Sequence, residues 1–287
     1  MAQIIDGKVL AASVREQVAT EVQMIKARGG AVRFAAVLVG EDPASQIYVH
    51  NKQRACEKVG IDFELHTLPA TCCFDDLANL IRRLSADKKI NGVLLQLPVP
   101  TAVVGNRLTE VLNLIDPQKD VDGLTFTNLG KLADHDACGL VPCTAQGVLY
   151  AVQSVCPDLT GKNIVMIGRS RIVGRPTSLL LTNQNATVTV CHSRTNNLAA
   201  HTRHADVIVV AAGCPHLVNI DMVKKDAIVI DVGINRLPDG KLVGDVDFES
   251  VAKIASAITP VPGGIGPLTI AFLLKNIVVA YRRQHGL

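Results

Sequence analysis

The stretch Ile164-Val-Met-Ile-Gly168-Arg169-Ser170-Arg171-Ile172-Val173-Gly174 decides the fold. It reads as a buried strand, a tight turn and the start of a helix. Gly168 lets the chain turn sharply, and Gly174 lets the helix pack closely on the strand. The helix N-terminus then directs backbone N–H groups at whatever sits there, an arrangement that suits a pyrophosphate. The usual dinucleotide fingerprint carries glycine where this chain has Ser170, so an ordinary βα turn is the competing reading. The next strand, Thr187–Cys191, runs into His192-Ser193-Arg194-Thr195. An NAD-preferring site places a carboxylate about 20 residues after the turn, to hold the ribose diol. Here a hydroxyl and a guanidinium stand instead, with Arg169 as a second cation. Charge-assisted bonds from Arg169, Ser193 and Arg194 suit a 2′-phosphate, which favours NADP over NAD. The competing reading makes Arg194 a solvated surface charge.

Outward from this turn, short aliphatic runs alternate with amphipathic segments along the chain. Strands are expected at Phe34–Val39, Ile61–Leu68, Ile90–Leu97, Asn163–Gly168, Thr187–Cys191, Val207–Ala212 and Ala227–Val232. Helices are expected at Leu10–Arg28, Ala44–Val59, Phe74–Leu84, Leu108–Ile115, Thr144–Val155 and Pro267–Arg283. In the first of these, Val14, Val18, Val22 and Ile25 mark one helical face, stopped by Gly29-Gly30. Strands separated by helices imply βαβ units and parallel sheets. The length of 287 residues suggests two domains.

Composition agrees and excludes other classes. Hydrophobic residues make up 48% and aromatics 3%, with no Trp, so the core must be aliphatic. An aromatic platform for single-stranded nucleic acid is thereby disfavoured. Twenty-nine basic against 26 acidic residues give +3, too little to imply nucleic acid or an anionic membrane as partner. No stretch reaches the ~18 uninterrupted apolar residues of a membrane span. The longest candidate, Ala271–Tyr281, is broken by Lys275 and Asn276. The N-terminus lacks the basic flank and apolar block of a signal peptide, and the eight cysteines form no CxxC pair. These features fit reduced thiols in a cytoplasmic protein. Cys191-His192 with His201 and His204 lacks paired metal-ligand spacing, so no metal is expected.

Other residues carry candidate chemistry. Ser45-Gln-Ile-Tyr48-Val-His-Asn-Lys52 sets Tyr48 and Lys52 four apart on one helix face. Lysine becomes an acid or base when its surroundings tune it, although surface Tyr–Lys pairs are common. Gln96 stands in Val93-Leu-Leu-Gln96-Leu-Pro98, where an amide is costly to bury unless bonded. It either faces a ligand at the strand end or satisfies nearby backbone. Lys119-Asp-Val-Asp122-Gly places Asp120 and Asp122 in a loop. A carboxylate there could hold the guanidine-like edge of a heterocycle, or could simply make a turn. Thr259-Pro-Val-Pro262-Gly263-Gly264-Ile265-Gly266-Pro267 is a shaped loop that would admit a flat ligand, or a linker.

Together these blocks resemble the bifunctional methylenetetrahydrofolate dehydrogenase/cyclohydrolase family. Five carry the resemblance: Ser45-x-x-Tyr48-x-x-x-Lys52, Gln96-Leu-Pro, Lys119-Asp-Val-Asp122-Gly, Gly168-Arg-Ser-x-x-Val-Gly174 and Ile258-Thr-Pro-Val-Pro-Gly-Gly-Ile-Gly-Pro267. Ala227–Arg236 and Gly244-Asp-Val-Asp247 also fit, and the likeness runs from about Ile4 to Arg283. It implies oxidation of 5,10-methylenetetrahydrofolate with NADP, then hydrolysis of the methenyl product to 10-formyltetrahydrofolate. It makes Lys52 the acid/base, Gln96 the residue that holds and tunes it, Tyr48 a flank for the pterin, and Asp122 the pterin's anchor. Leu95, Gln96, Leu97, Pro262, Gly263, Gly264, Ile265 and Gly266 would line the folate site. Thr144, Gly168, Arg169, Ser170, Val173, Gly174, Ser193, Arg194 and Ile234 would contact the cofactor, with Arg169 and Ser193 on the 2′-phosphate.

The implied architecture is α/β with two domains: an N-terminal α/β folate domain (1–140 plus 267–287) and an NADP-binding, Rossmann-like parallel-sheet domain (141–266). A homodimer through the cofactor domain is expected, with Ile208–Ala212 or nearby strands as its edge. Two departures stand out. Ala145 replaces the second proline of a Pro-Cys-Thr-Pro block, and Thr101-Ala-Val-Val stands where a His commonly follows Gln-Leu-Pro. Three rivals share features. A short-chain dehydrogenase also uses Tyr-x-x-x-Lys, but its Gly-rich turn precedes the Tyr. A shikimate- or amino-acid-dehydrogenase-like enzyme shares the architecture without needing the Pro-Gly-Gly loop. A non-catalytic NADP sensor would bind the cofactor without turnover.

Overall fold

The computed structural model describes residues 2–287. In chain order the elements are β1 (Gln3–Ile4), α1 (Gly7–Ala27), β2 (Arg33–Val39), α2 (Pro43–Val59), β3 (Asp62–Leu68), α3 (Phe74–Ala86), β4 (Gly92–Leu95), α4 (Thr101–Val104), α5 (Leu108–Leu112), α6 (Phe126–Ala133) and α7 (Cys143–Gln153). Then follow β5 (Asn163–Ile167), α8 (Gly174–Thr182), β6 (Thr187–Cys191), α9 (Leu198–Thr202), β7 (Val207–Val210), β8 (Ile228–Asp231), β9 (Asn235–Arg236), β10 (Leu242–Val243), α10 (Phe248–Val251), β11 (Ala257–Ile258) and α11 (Ile265–Gln284).

The chain divides into two compact units. One comprises the N-terminal stretch through Ala12 with Pro142–Phe272; the other comprises Ser13–Val141 with Leu273–Leu287. In the first, six strands form a parallel sheet ordered β1-β11-β8-β7-β5-β6, and β9 and β10 pair antiparallel in a separate ribbon. In the second, β3, β2 and β4 form a three-stranded parallel sheet with β2 at its centre. Parallel strands sandwiched by helices need apolar side chains on both faces. Accordingly Phe34–Val39 of β2 are all buried, as are all four residues of β7. The edge strand β3 instead mixes exposed and half-buried positions.

The units divide the chain differently from the sequence-based expectation. Residues up to Ala12 join the six-stranded unit because β1 pairs in parallel with β11, Gln3 opposite Ala257. Two-residue strands carry no readable periodicity, which is why β1 and β11 escape a sequence reading. The final helix begins at Ile265, and its first turns, through Phe272, also belong to the six-stranded unit. Ile208–Ala212 offers no edge for a dimer, because β7 lies between β5 and β8. The open edges belong to β1 and β6. By length and composition α11 could cross a membrane, but 61% of its most apolar window is buried inside the protein.

Candidate functional site

In the three-stranded unit the site is built where parallel strands end, the usual ligand-binding end of such sheets. Asp42 caps α2 by accepting the Ser45 N–H at 2.8 Å, and these bonds hold its carboxyl below the usual carboxylate range. Pro43 begins the helix, as its fixed φ favours. Tyr48 and Lys52 then lie one turn apart, Tyr48 42% exposed and Lys52 half-buried. Gln96 follows β4 directly and is only 7% exposed. Its Nε2 donates to Leu97 O at 2.6 Å, which turns Oε1 outward to accept Lys52 Nζ at 2.8 Å. The costly buried amide is thus satisfied at both ends, and it fixes the amine. One turn beyond Lys52, burial pushes the Cys56 thiol up to about 12, so it stays neutral beside the amine.

The Lys119–Gly123 segment resolves into separate roles. Lys119 is buried and donates to Ser85 O and Asp87 O, each at 2.7 Å, tying off the end of α3. Burial lowers its pKa. Val93 N–H donates to Lys119 O at 2.8 Å, and Asp120 pairs in parallel with Val93, so the segment runs alongside β4. Asp120 is buried and accepts Leu124 N at 3.1 Å, Thr125 N at 2.8 Å and Asn128 Nδ2 at 2.9 Å. It shapes the loop. Asp122, in the turn that follows, is half-buried. Of the two carboxylates, Asp120 is committed to this loop, and Asp122 is the more exposed.

Asn276 has a part that sequence reading missed. Buried on α11, it donates through Nδ2 to Val121 O at 2.8 Å and Val141 O at 2.9 Å. It anchors the residue preceding Asp122. The available signal was an amide in an otherwise apolar helix face. Leu95 is buried in the aliphatic core, with Leu97 packed against it, so only main-chain groups of Leu95 remain for a ligand.

The six-stranded unit holds the other candidate residues. Gly168 has φ 122°, a conformation that L side chains rarely adopt, and a Cβ there would collide with Ala211 O. A Cβ at Gly174 would strike Gly168 O, so turn and helix are in backbone contact. Ser170, in place of the fingerprint glycine, accepts Val173 N at 3.1 Å and Gly174 N at 3.3 Å through Oγ. It therefore caps the start of α8, and those two N–H groups are not open to a ligand as the sequence suggested. Ile167 is registered with Cys191, and Gly168 N donates to Cys191 O at 2.8 Å. Arg169 follows the end of β5, and Ser193 and Arg194 follow the end of the neighbouring β6; all three are exposed. Together they offer two cations and a hydroxyl and no carboxylate, the chemistry that a phosphorylated ribose would need.

Thr144 Oγ1 lies 3.2 Å from Thr269 Oγ1, and Ile234 is exposed just after β8. Pro142 precedes α7 and Ala145 is fully buried in it, so the missing second proline does not displace the helix start. In the Pro262–Gly266 loop, Gly264 packs on Gly7 so closely that a Cβ on Gly7 would overlap Gly264 O. Ile265 is buried there, while Pro262 is exposed. The Val261–Pro262 and Leu97–Pro98 peptides are cis.

Known proteins match both units. The family model for the tetrahydrofolate dehydrogenase/cyclohydrolase catalytic domain matches residues 5–122, and that for the family's NAD(P)-binding domain matches 142–285. The bifunctional protein FolD of Moorella thermoacetica is 51% identical over 98% of this chain and 99% of its own. The crystal structure of FolD, a methylenetetrahydrofolate dehydrogenase/cyclohydrolase from Campylobacter jejuni, superposes with TM-score 0.95 at 46% identity, covering 99% of this chain and 100% of that one. The Trypanosoma brucei enzyme, solved with NADP and an inhibitor, gives TM-score 0.94 at 35% identity, covering 100% and 99%. With both units matched and relatives this similar along nearly its whole length, the chain belongs to the tetrahydrofolate dehydrogenase/cyclohydrolase family.

Proposed function

We propose that this chain oxidises 5,10-methylenetetrahydrofolate with NADP and hydrolyses the resulting 5,10-methenyl cation to 10-formyltetrahydrofolate. The carrying observation is the Lys52–Gln96 pair, 2.8 Å from Nζ to Oε1, at the strand ends of the catalytic unit. Bound NADP supplies the hydride acceptor; Arg169, Ser193 and Arg194 hold its 2′-phosphate, and Thr144, the Gly168–Gly174 turn and Ile234 hold the rest. Tyr48 flanks the pterin and Asp122 accepts from its amino-pyrimidine edge. Pro262 to Gly266 line the folate.

In hydrolysis, water adds to the methenyl carbon and loses a proton, and the bond to N5 breaks to leave the formyl group on N10. Lys52 as free amine takes that proton and as ammonium returns one to N5, while the hydroxyl of the adduct releases its own proton to solvent as the formyl C=O forms. Gln96 Oε1 holds Nζ in place for both transfers. An amine suits a cationic substrate better than a guanidinium, because its charge can be withdrawn. The protein works in the cytoplasm as a homodimer joined through the six-stranded unit. The open edge of β6, with Val190 exposed, replaces Ile208–Ala212 as the joining strand. Purified protein mixed with methylenetetrahydrofolate and NADP should form NADPH and the methenyl product. No turnover with either NADP or NAD would overturn the enzymatic reading and leave a cofactor-binding sensor.

A further inference from the structure

The six-stranded unit buries two carboxylates that the reaction above does not use. Asp231 ends β8 and is 3% exposed; Asp245, between β10 and α10, is 0% exposed. Asp231 accepts Gly233 N at 2.9 Å and Asp245 N at 3.0 Å on Oδ1, and Val246 N at 2.9 Å on Oδ2. Asp245 accepts Ala212 N at 2.6 Å and Gly213 N at 2.9 Å on Oδ2, and Cys214 N and Asn235 Nδ2 at 2.9 and 2.8 Å on Oδ1. All these donors are neutral N–H groups. The backbone threads tightly around both anions: a Cβ at Gly244 would overlap Asp231, and one at Gly233 would overlap Asp245.

Charges buried without a cation are expensive and persist only where fixed dipoles surround them. Here the dipoles belong to the loops that leave the C-terminal ends of β7 and β8, the ligand-binding side of a parallel sheet. Ala211, next to the captured Ala212 N–H, is the residue against which Gly168 packs. Asn235, another captured donor, follows Ile234 directly. We propose that Asp231 and Asp245 are positioning residues for the cofactor. Their carboxylates clamp the Ala212–Cys214 and Gly233–Asn235 loops into the shape that receives it. This rests on the NADP reading above.

Ionisation matters to the clamp. A carboxylate accepts on both oxygens, whereas a protonated one presents an O–H to an N–H and loses an acceptor site. Burial raises the Asp231 carboxyl from 3.8 to about 6, reinforced by the Asp245 carboxylate and opposed by the N–H groups. The clamp on Asp231 should therefore loosen as pH falls through 6. Asp245 is the titratable group facing it. Its other polar neighbours are backbone amides and the Thr259 hydroxyl of the segment after β11, which accepts Asp231 N at 2.7 Å.

The test is a direct NADP-binding titration of the whole protein, without folate, across pH 5 to 8, beside a cyclohydrolase assay that starts from methenyltetrahydrofolate and needs no cofactor. We expect Asp245→Asn and Asp231→Asn to weaken NADP binding about tenfold or more. The same preparations should hydrolyse the methenyl substrate at near wild-type rate. Wild-type affinity should fall below pH 6, and that fall should be absent from Asp231→Asn. Asn235→Ala, which removes a single donor, should weaken binding by a smaller factor and covers the case in which a carboxylate variant does not fold. Wild-type NADP affinity in Asp245→Asn or Asn235→Ala overturns the positioning role while leaving the cofactor reading intact. So does an equal loss of binding and hydrolysis, which marks a purely structural role. Failure of the wild type to bind NADP overturns the cofactor reading, and this inference with it.

Discussion

The two units hold their polar centres in opposite ways. In the three-stranded unit a titratable amine leans on a neutral amide, Lys52 on Gln96, and the amide is locked by the next carbonyl in the chain. In the six-stranded unit two carboxylates are sunk among neutral N–H groups, and neither need touch the ligand. The first arrangement presents a mobile proton to a substrate. The second gives loops a fixed shape. Removing a group should therefore abolish chemistry in one unit and degrade affinity in the other.

Lys52→Gln is the strongest challenge to that contrast. A positioned acid/base contributes about 10²–10⁴-fold. Hydrolysis of methenyltetrahydrofolate should fall by about that factor, while circular dichroism and NADP affinity stay as in the wild type. Hydrolysis at the wild-type rate would remove Lys52 from the mechanism and leave the contrast without its catalytic half.

The buried anions should show themselves in stability before they show in binding. The folded-state pKa of Asp231, about 6, exceeds its ordinary 3.8, so the fold favours the protonated form. The native state then binds more protons than the unfolded chain between those values. This group's stabilising contribution is complete below 3.8 and is lost as pH rises through 6, by about 3 kcal/mol. Urea unfolding of wild type and Asp231→Asn at several pH values should show the difference between them shifting by about that amount. A difference that is flat from pH 4 to 7 would mean that Asp231 is not desolvated as its burial indicates. Ionising Asp231 at neutral pH thus costs stability, and the clamp on the cofactor loops explains why such a group sits there.

Much of this was legible in the sequence, for identifiable reasons. The strands with four or more aliphatic residues announced themselves, because a parallel sheet buried on both faces demands continuous apolar runs. Lys52, Gln96 and the Gly168 turn stood out because each breaks a pattern: a cation on a helix face, an amide in an apolar strand, a glycine at a strand end. The clamp did not stand out. Asp231 closes Ala-Ile-Val-Ile-Asp and Asp245 sits in Gly-Asp-Val-Asp, but most of their partners are backbone amides 14 to 33 residues away, which no side-chain pattern encodes. The compact units differ from the division expected from sequence for a similar reason. Two hydrogen-bonded residues at Gln3–Ile4 decide where the N-terminus belongs.

Arg169 tests the cofactor half from its surface. A charge-assisted bond to phosphate contributes roughly 1.5–3 kcal/mol, so Arg169→Ala should raise the KM for NADP about 10- to 100-fold. The KM for NAD, which lacks the 2′-phosphate, should change little. Equal effects on both cofactors would remove Arg169 from the phosphate-binding set.

Asn276 gives the smallest effect and the sharpest separation of the units. Its two bonds reach the carbonyls of Val121 and Val141, within the three-stranded unit. Asn276→Leu keeps the side chain's shape but strips both carbonyls of their donor, at a cost of about 1–3 kcal/mol if they remain buried. The melting temperature should fall by several degrees. The KM for methylenetetrahydrofolate should rise, since Val121 precedes Asp122, while the NADP affinity measured in the absence of folate should hold. A matching loss of NADP affinity would mean that this amide also supports the six-stranded unit and that the two polar centres are coupled. An unchanged melting temperature would mean that the freed carbonyls find water, and that the Asp122 loop does not depend on this amide.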